Sequence, residues 1–156
     1  MYKKKNYLIL LFLFLINCGY VPIYSQNNKD SNFLISSLKI DGDRIINNYL
    51  NASLKRYSNL DRKKIYEIKI STKYDKKALT KDLTGAPTDY ELILKTSLEV
   101  KRVDLNNSKS YVINFTDRFN MKANDDKYEE QSYERLIKRN LSESVFAKII
   151  FHLTKN

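Results

Sequence analysis

The chain has 156 residues, with 28 Lys plus Arg against 18 Asp plus Glu, a net charge of +10. That length suits one domain of ordinary size, and 3 Gly with 2 Pro exclude collagen-like, linker-like and repeat-turn architectures. One cysteine excludes an intramolecular disulfide framework and a zinc site built mainly from cysteine. One histidine and no Trp leave little for metal chemistry or Ser-His-Asp catalysis, so no enzyme, cofactor or metal is expected.

The start of the chain is the most informative stretch. Met1-Tyr2-Lys3-Lys4-Lys5-Asn6-Tyr7 is basic, Leu8 to Ile16 is an uninterrupted apolar run of nine residues, and Asn17-Cys18-Gly19 ends it. A basic segment, an apolar segment of about 7–15 residues and a processing site are the parts of an export signal. A spanning helix needs about 20 apolar residues, and Asn17, Gly19 and Pro22 make a continuation to Tyr24 a poor anchor. Leu15-Ile16-Asn17-Cys18 resembles the lipobox of bacterial lipoproteins, although Asn17 stands where those proteins prefer Gly, Ala or Ser. The resemblance implies that residues 1–17 are removed and that Cys18, the sole cysteine, is acylated. Each buried methylene contributes about 0.8 kcal/mol and one chain alone anchors only marginally, so a triacylated Cys18 would hold the protein on a membrane. Gly19 after the cysteine resembles lipoproteins sorted to the outer membrane. Without Lys3, Lys4 and Lys5 the mature chain has 25 basic and 18 acidic residues, about +7. Residues 18–32 are expected to form a tether, of which Ser25 to Asn32 is polar without periodicity. Residues 33–156 then form the domain.

Phe33 to Ile40 predicts a strand closed by Asp41-Gly42-Asp43. Asp43 can cap a helix whose stripe is Ile45, Ile46, Tyr49, Leu50, Leu54 and Tyr57. From Tyr66 the period becomes two, with Ile68, Ile70, Thr72 and Tyr74 on one face and Glu67, Lys69, Ser71 and Lys73 on the other. The alternation returns from Tyr90 to Lys101. A turn at Asp104–Ser108 leads to Tyr111, Ile113 and Phe115, and the strand can extend to Phe119. Helical spacing resumes with Tyr133, Leu136, Ile137, Leu141, Val145, Ile149 and Leu153, with acids ahead and Lys155 behind, as the helix dipole favours. The order strand, helix, three strands, helix predicts an α+β two-layer sandwich, a mixed four-stranded sheet with two helices on one face. A strand–helix–strand unit usually joins parallel neighbours; the strand order stays open.

Cys18-Gly19-Tyr20-Val21-Pro22-Ile23-Tyr24 resembles the start of the LptE family of lipopolysaccharide-assembly lipoproteins. The element order, the long terminal helix and Gly85-Ala86-Pro87-Thr88-Asp89-Tyr90 leading into a long strand are similar too. The resemblance implies a non-enzymatic outer-membrane lipoprotein on the periplasmic side. Such a protein sits in the lumen of an LptD-like barrel and helps it deliver lipopolysaccharide to the cell surface. The alternative from another class is a periplasmic scaffolding lipoprotein of a different envelope complex that does not touch lipopolysaccharide. A hydrolase would need a nucleophile–base pair, and none is visible.

The remaining candidate sites are few. His152 is read as a solvated or capping histidine, and Asp125-Asp126 with Glu129-Glu130 as acids opening a helix. Tyr and Lys together would suit nucleic acid, but an exported lipoprotein meets little of it. The stretch from Asp75 to Asp89 predicts a fifteen-residue loop, a length that is often functional. Lys73, Lys76, Lys77 and Lys81 would make its tip a candidate for the phosphates of lipopolysaccharide, unless it is only a solvated connection.

Overall fold

A computed structural model of the chain describes residues 32–58, 62, 64–103 and 109–155. The expected export signal, Cys18, the expected tether up to residue 31 and the expected turn at 104–108 lie outside the described residues. The elements run β1 (Phe33–Asp41), α1 (Arg44–Leu54) closed by a 3-10 turn (Lys55–Tyr57), β2 (Lys64–Lys81), β3 (Pro87–Arg102), β4 (Lys109–Lys122) and α2 (Lys127–Lys155). The sheet order is β1-β2-β3-β4. β1 pairs parallel with β2, as the intervening helix requires, and the other two ladders are antiparallel. The α+β class, the mixed four-stranded sheet and the two helices agree with the sequence reading.

One face of the sheet carries the core. Tyr66, Ile68 and Ile70 of β2, Leu92, Leu94, Leu98 and Val100 of β3 and Met121 of β4 are buried against Ile46, Leu50 and Leu54 of α1 and Ile137, Val145, Ile149 and Leu153 of α2. β1 joins this face by way of an irregularity. Phe33 and Ile35 are buried, the register then shifts between Ile35 and Ser37, and Leu38 and Ile40 pack inward instead of Ser37 and Lys39. An extra residue in one strand moves the following side chains to the opposite face. The Ser36 hydroxyl marks the place by donating to the Tyr66 carbonyl at 3.3 Å.

The β1–α1 junction is set by side chains that the strand end and helix start share. Asp43 caps α1, its Oδ1 accepting from the Ile45 and Ile46 amides at 2.9 and 3.2 Å. Gly42 has φ +126°, and a Cβ there would lie 2.0 Å from the Thr72 carbonyl oxygen of β2. The Thr72 hydroxyl reaches the Asp41 carbonyl at 3.3 Å and Asn47 Oδ1 at 2.9 Å.

The fifteen-residue loop is a correction. β2 continues to Lys81 and β3 begins at Pro87, with pairing from Tyr74↔Leu94 out to Lys81↔Pro87. The connection is residues 82–86, where Asp82 Oδ1 accepts from the Thr84 and Ala86 amides and the Thr84 hydroxyl, and Gly85 takes φ +86°. The stretch 75–89 lacks apolar alternation because little core covers it, but its backbone pairs within its own hairpin, with irregularities between Ala78 and Thr80 and between Thr80 and Lys81. Backbone pairing does not require an apolar face.

Candidate functional site

The strand geometry separates the four predicted lysines. Successive strand residues point to opposite faces, so Lys73 and Lys77 lie on the outer face of β2 while Lys76 lies on the helix face with Tyr74. Lys81 stands at the hairpin end opposite Pro87. A joint basic tip of Lys73, Lys76, Lys77 and Lys81 therefore does not form.

Lys76 belongs to an ionic and aromatic network between the hairpin and the first half of α2. Its Nζ lies 2.9 Å from Glu130 Oε1, 3.0 Å from Glu134 Oε2 and 4.1 Å from the centre of the Tyr90 ring. The Tyr74 hydroxyl donates to Glu134 at 2.9 Å. Lys138 Nζ covers the Tyr74 ring at 4.0 Å and pairs with Asp43 at 2.8 Å. Glu130, buried, also accepts from the Asn124 amide at 3.1 Å and faces Lys127 at 3.5 Å. Burial works against the charge of Lys76, but Glu130 and Glu134 outweigh it and raise its pKa. The hydrogen bond from Lys76 in turn lowers Glu130. Asp43 is lowered too, because Lys138 and the two capping amides prevail over its burial. Burial and the Glu134 carboxylate push the Tyr74 hydroxyl strongly upward, so it stays protonated and donates. Every ammonium here is matched by carboxylates. The network locks α2 to the hairpin and leaves Lys76 poorly placed to meet a ligand.

The opposite, outer face of the sheet is polar and carries two shallow grooves. One is lined by Lys39, Glu67, Lys69, Glu99 and Lys101, with Lys101 on Glu67 at 3.3 Å and Lys69 directly across from Glu99. Its charges largely cancel. The other, of about 260 Å³, is lined by Lys73, Lys95, Ser71, Ser97, Asn114 and Thr116 among others, and no acid lines it. Two rungs of the sheet build it: Lys73–Lys95–Thr116 and Ser71–Ser97–Asn114, each crossing β2, β3 and β4 in register. Like charges directly opposite destabilise a ladder, and among the described residues neither Lys73 nor Lys95 forms an ion pair. Strand alternation puts both lysines on the wet face already in the sequence. That they face each other depends on register, which the sequence does not reveal.

His152, in the last turn of α2, is half-buried beside two rings, with Phe115 at 5.6 Å and Phe151 at 5.7 Å between centroids. Asp126 and Glu129 take the expected places at the start of α2, Asp126 accepting from the Tyr128 and Glu129 amides. No cluster of metal-ligating side chains occurs among the described residues, and no helix among them is long and apolar enough to cross a membrane.

No family model and no curated protein matches the chain. Among solved structures it is similar to rare lipoprotein B of Shewanella oneidensis, at 10% identity over 72% of this chain and 92% of that one, with a TM-score of 0.45. A lipoprotein of Caulobacter crescentus aligns at 11% identity over 77% and 89% of the two chains, TM-score 0.48. Lipoprotein B of Nitrosomonas europaea aligns at 14% identity over 79% and 85%, TM-score 0.48. All three are bacterial lipoproteins.

Proposed function

We propose that this chain is an outer-membrane lipoprotein, anchored through acylated Cys18 on the periplasmic side. It serves as the small, non-enzymatic subunit that an LptD-like barrel needs to move lipopolysaccharide to the cell surface. The observation that carries the reading is the start of the mature chain: the sole cysteine, Cys18, follows an apolar run of export length and opens Cys18-Gly19-Tyr20-Val21-Pro22-Ile23-Tyr24. The order of β1, α1, three further strands and a long α2 supports it, since the resemblance implies the same layout. A polar outer sheet face supports it too, because the lumen of a wide outer-membrane barrel is polar and water-lined.

Depletion of the protein in its native host tests the reading. Correctly folded barrel in the outer membrane and surface lipopolysaccharide should both fall. Crosslinking of the membrane-embedded protein should capture a large barrel. Unchanged barrel assembly together with unchanged surface lipopolysaccharide would count against the proposal.

A further inference from the structure

We propose that the rungs Lys73–Lys95–Thr116 and Ser71–Ser97–Asn114 on the outer face of the sheet form a binding site for a phosphomonoester dianion. The site stands on its own geometry; that the phosphoryl group belongs to a glycolipid headgroup rests on the function proposed above. The ammoniums of Lys73 and Lys95, the hydroxyls of Ser71, Ser97 and Thr116 and the Asn114 amide belong to the residues that line one open groove, with no carboxylate among them. The nearest same-face acids along the strands sit on other rungs, Asp75 opposite Ile93 and Glu99 opposite Lys69. A phosphomonoester carries about −1.5 to −2 charges on three acceptor oxygens, which matches two cations and a surplus of neutral donors. A lone carboxylate has one charge and would leave one ammonium uncompensated. Charge-assisted hydrogen bonds to phosphate are stronger than neutral ones, and an anion between Lys73 and Lys95 also relieves their cross-strand repulsion. Lys76 is excluded from this role because Glu130 and Glu134 already hold it.

The full-length acylated protein in phosphatidylcholine nanodiscs provides the test, titrated with inorganic phosphate, with phosphorylated lipopolysaccharide and with the same lipopolysaccharide after phosphatase treatment. The double variant Lys73→Gln/Lys95→Gln should bind both phosphate-bearing probes about tenfold or more weakly than wild type. Its thermal midpoint should be equal or higher, since a like-charge pair is gone. Lys73→Arg/Lys95→Arg should retain binding, and Lys39→Gln/Lys101→Gln, in the neighbouring groove, should bind as wild type does. Binding of inorganic phosphate that the double variant loses, with no binding of lipopolysaccharide, would support the site and remove the lipopolysaccharide reading. Binding of lipopolysaccharide by wild type and double variant alike would overturn the site and leave that reading intact. Equal affinity for intact and phosphatase-treated lipopolysaccharide, or displacement by polyglutamate but not by phosphate, would also overturn the site.

Discussion

Gly42 and Lys76 show how much of the domain hangs on single residues outside the apolar core. At Gly42 a methyl group would sit 2.0 Å from the Thr72 carbonyl oxygen, on backbone with φ +126°. The left-handed conformation alone costs about 1–2 kcal/mol for an L-residue, and the clash is with main chain that cannot rotate away. Gly42→Ala should therefore destabilise the domain by about 2 kcal/mol or more, read as a lower denaturation midpoint. Lys76 acts differently, because removing it strands a carboxylate. Glu130 is 6% exposed and would keep its charge without its main partner. Lys76→Gln should cost about 1–3 kcal/mol at neutral pH. The pH dependence follows from the sign of the shift. Glu130 and Asp43 have lowered folded-state pKa values, so the unfolded chain binds more protons in acid. Their contribution is complete above the unfolded value of about 4 and is lost as pH falls through the folded values. The difference between wild type and Lys76→Gln should accordingly shrink towards zero near the acid end of a urea titration. A difference that stays constant with pH would show that Glu130 and Lys76 do not act as a pair.

At the level of elements, β4 poses the main hazard, since it is a long edge strand with half-buried aromatics. Unpaired strand edges invite pairing with other chains, and an inward-pointing charge is one of the devices that blunts them. Asp117 has that position. It points to the helix side in the middle of β4, where the Ser144 hydroxyl donates to it at 3.0 Å and Lys148 pairs with it at 2.5 Å. Val112 and Phe119 on the same strand remain 60% and 36% exposed. Asp117→Val should change the thermal midpoint little, because the Lys148 side chain, 38% exposed, can turn to water. It should instead promote concentration-dependent self-association, measurable by sedimentation velocity. A variant that stays monomeric at high concentration would remove the guarding role of Asp117. The β2–β3 hairpin illustrates the complementary case, a long polar projection made regular by its own ladder and by the clamp that α2 places on Tyr74 and Lys76.

For the molecule as a whole, the proposed anchor at Cys18 has a direct test. Cys18→Ala should abolish labelling with radioactive palmitate and release the protein from the membrane fraction, because a single unacylated chain has nothing equivalent to hold it there. Equal labelling of variant and wild type would eliminate the lipoprotein reading. The domain itself presents two different faces to its surroundings. The helix layer is closed by core contacts and by the Lys76–Lys138 network, whereas the outer sheet face is open and carries an uncompensated pair of lysines. A barrel wrapped around the domain would meet both, and the open face is where a bound anion would be reached.

The primary structure by itself determined the elements whose cause is local. Basic, apolar and small residues in succession are the pattern expected of an export signal. The 3.6-residue stripe from Ile137 to Leu153 predicts α2, and period-two runs predict the central parts of β2, β3 and β4. The α+β class followed because those periods can share one buried face in few ways. The ends of the long hairpin were hidden, since from Asp75 to Asp89 both faces are polar and periodicity carries no signal there. Only the tertiary structure decided which partners the lysines met. A strand turns alternate residues to opposite faces, so Lys73 and Lys76, three apart, had to separate. Which residue then stands beside each depends on cross-strand register, a property of partners distant in sequence: Lys73 met Lys95 and was left without an acid, and Lys76 met Glu130 and Glu134 and was neutralised.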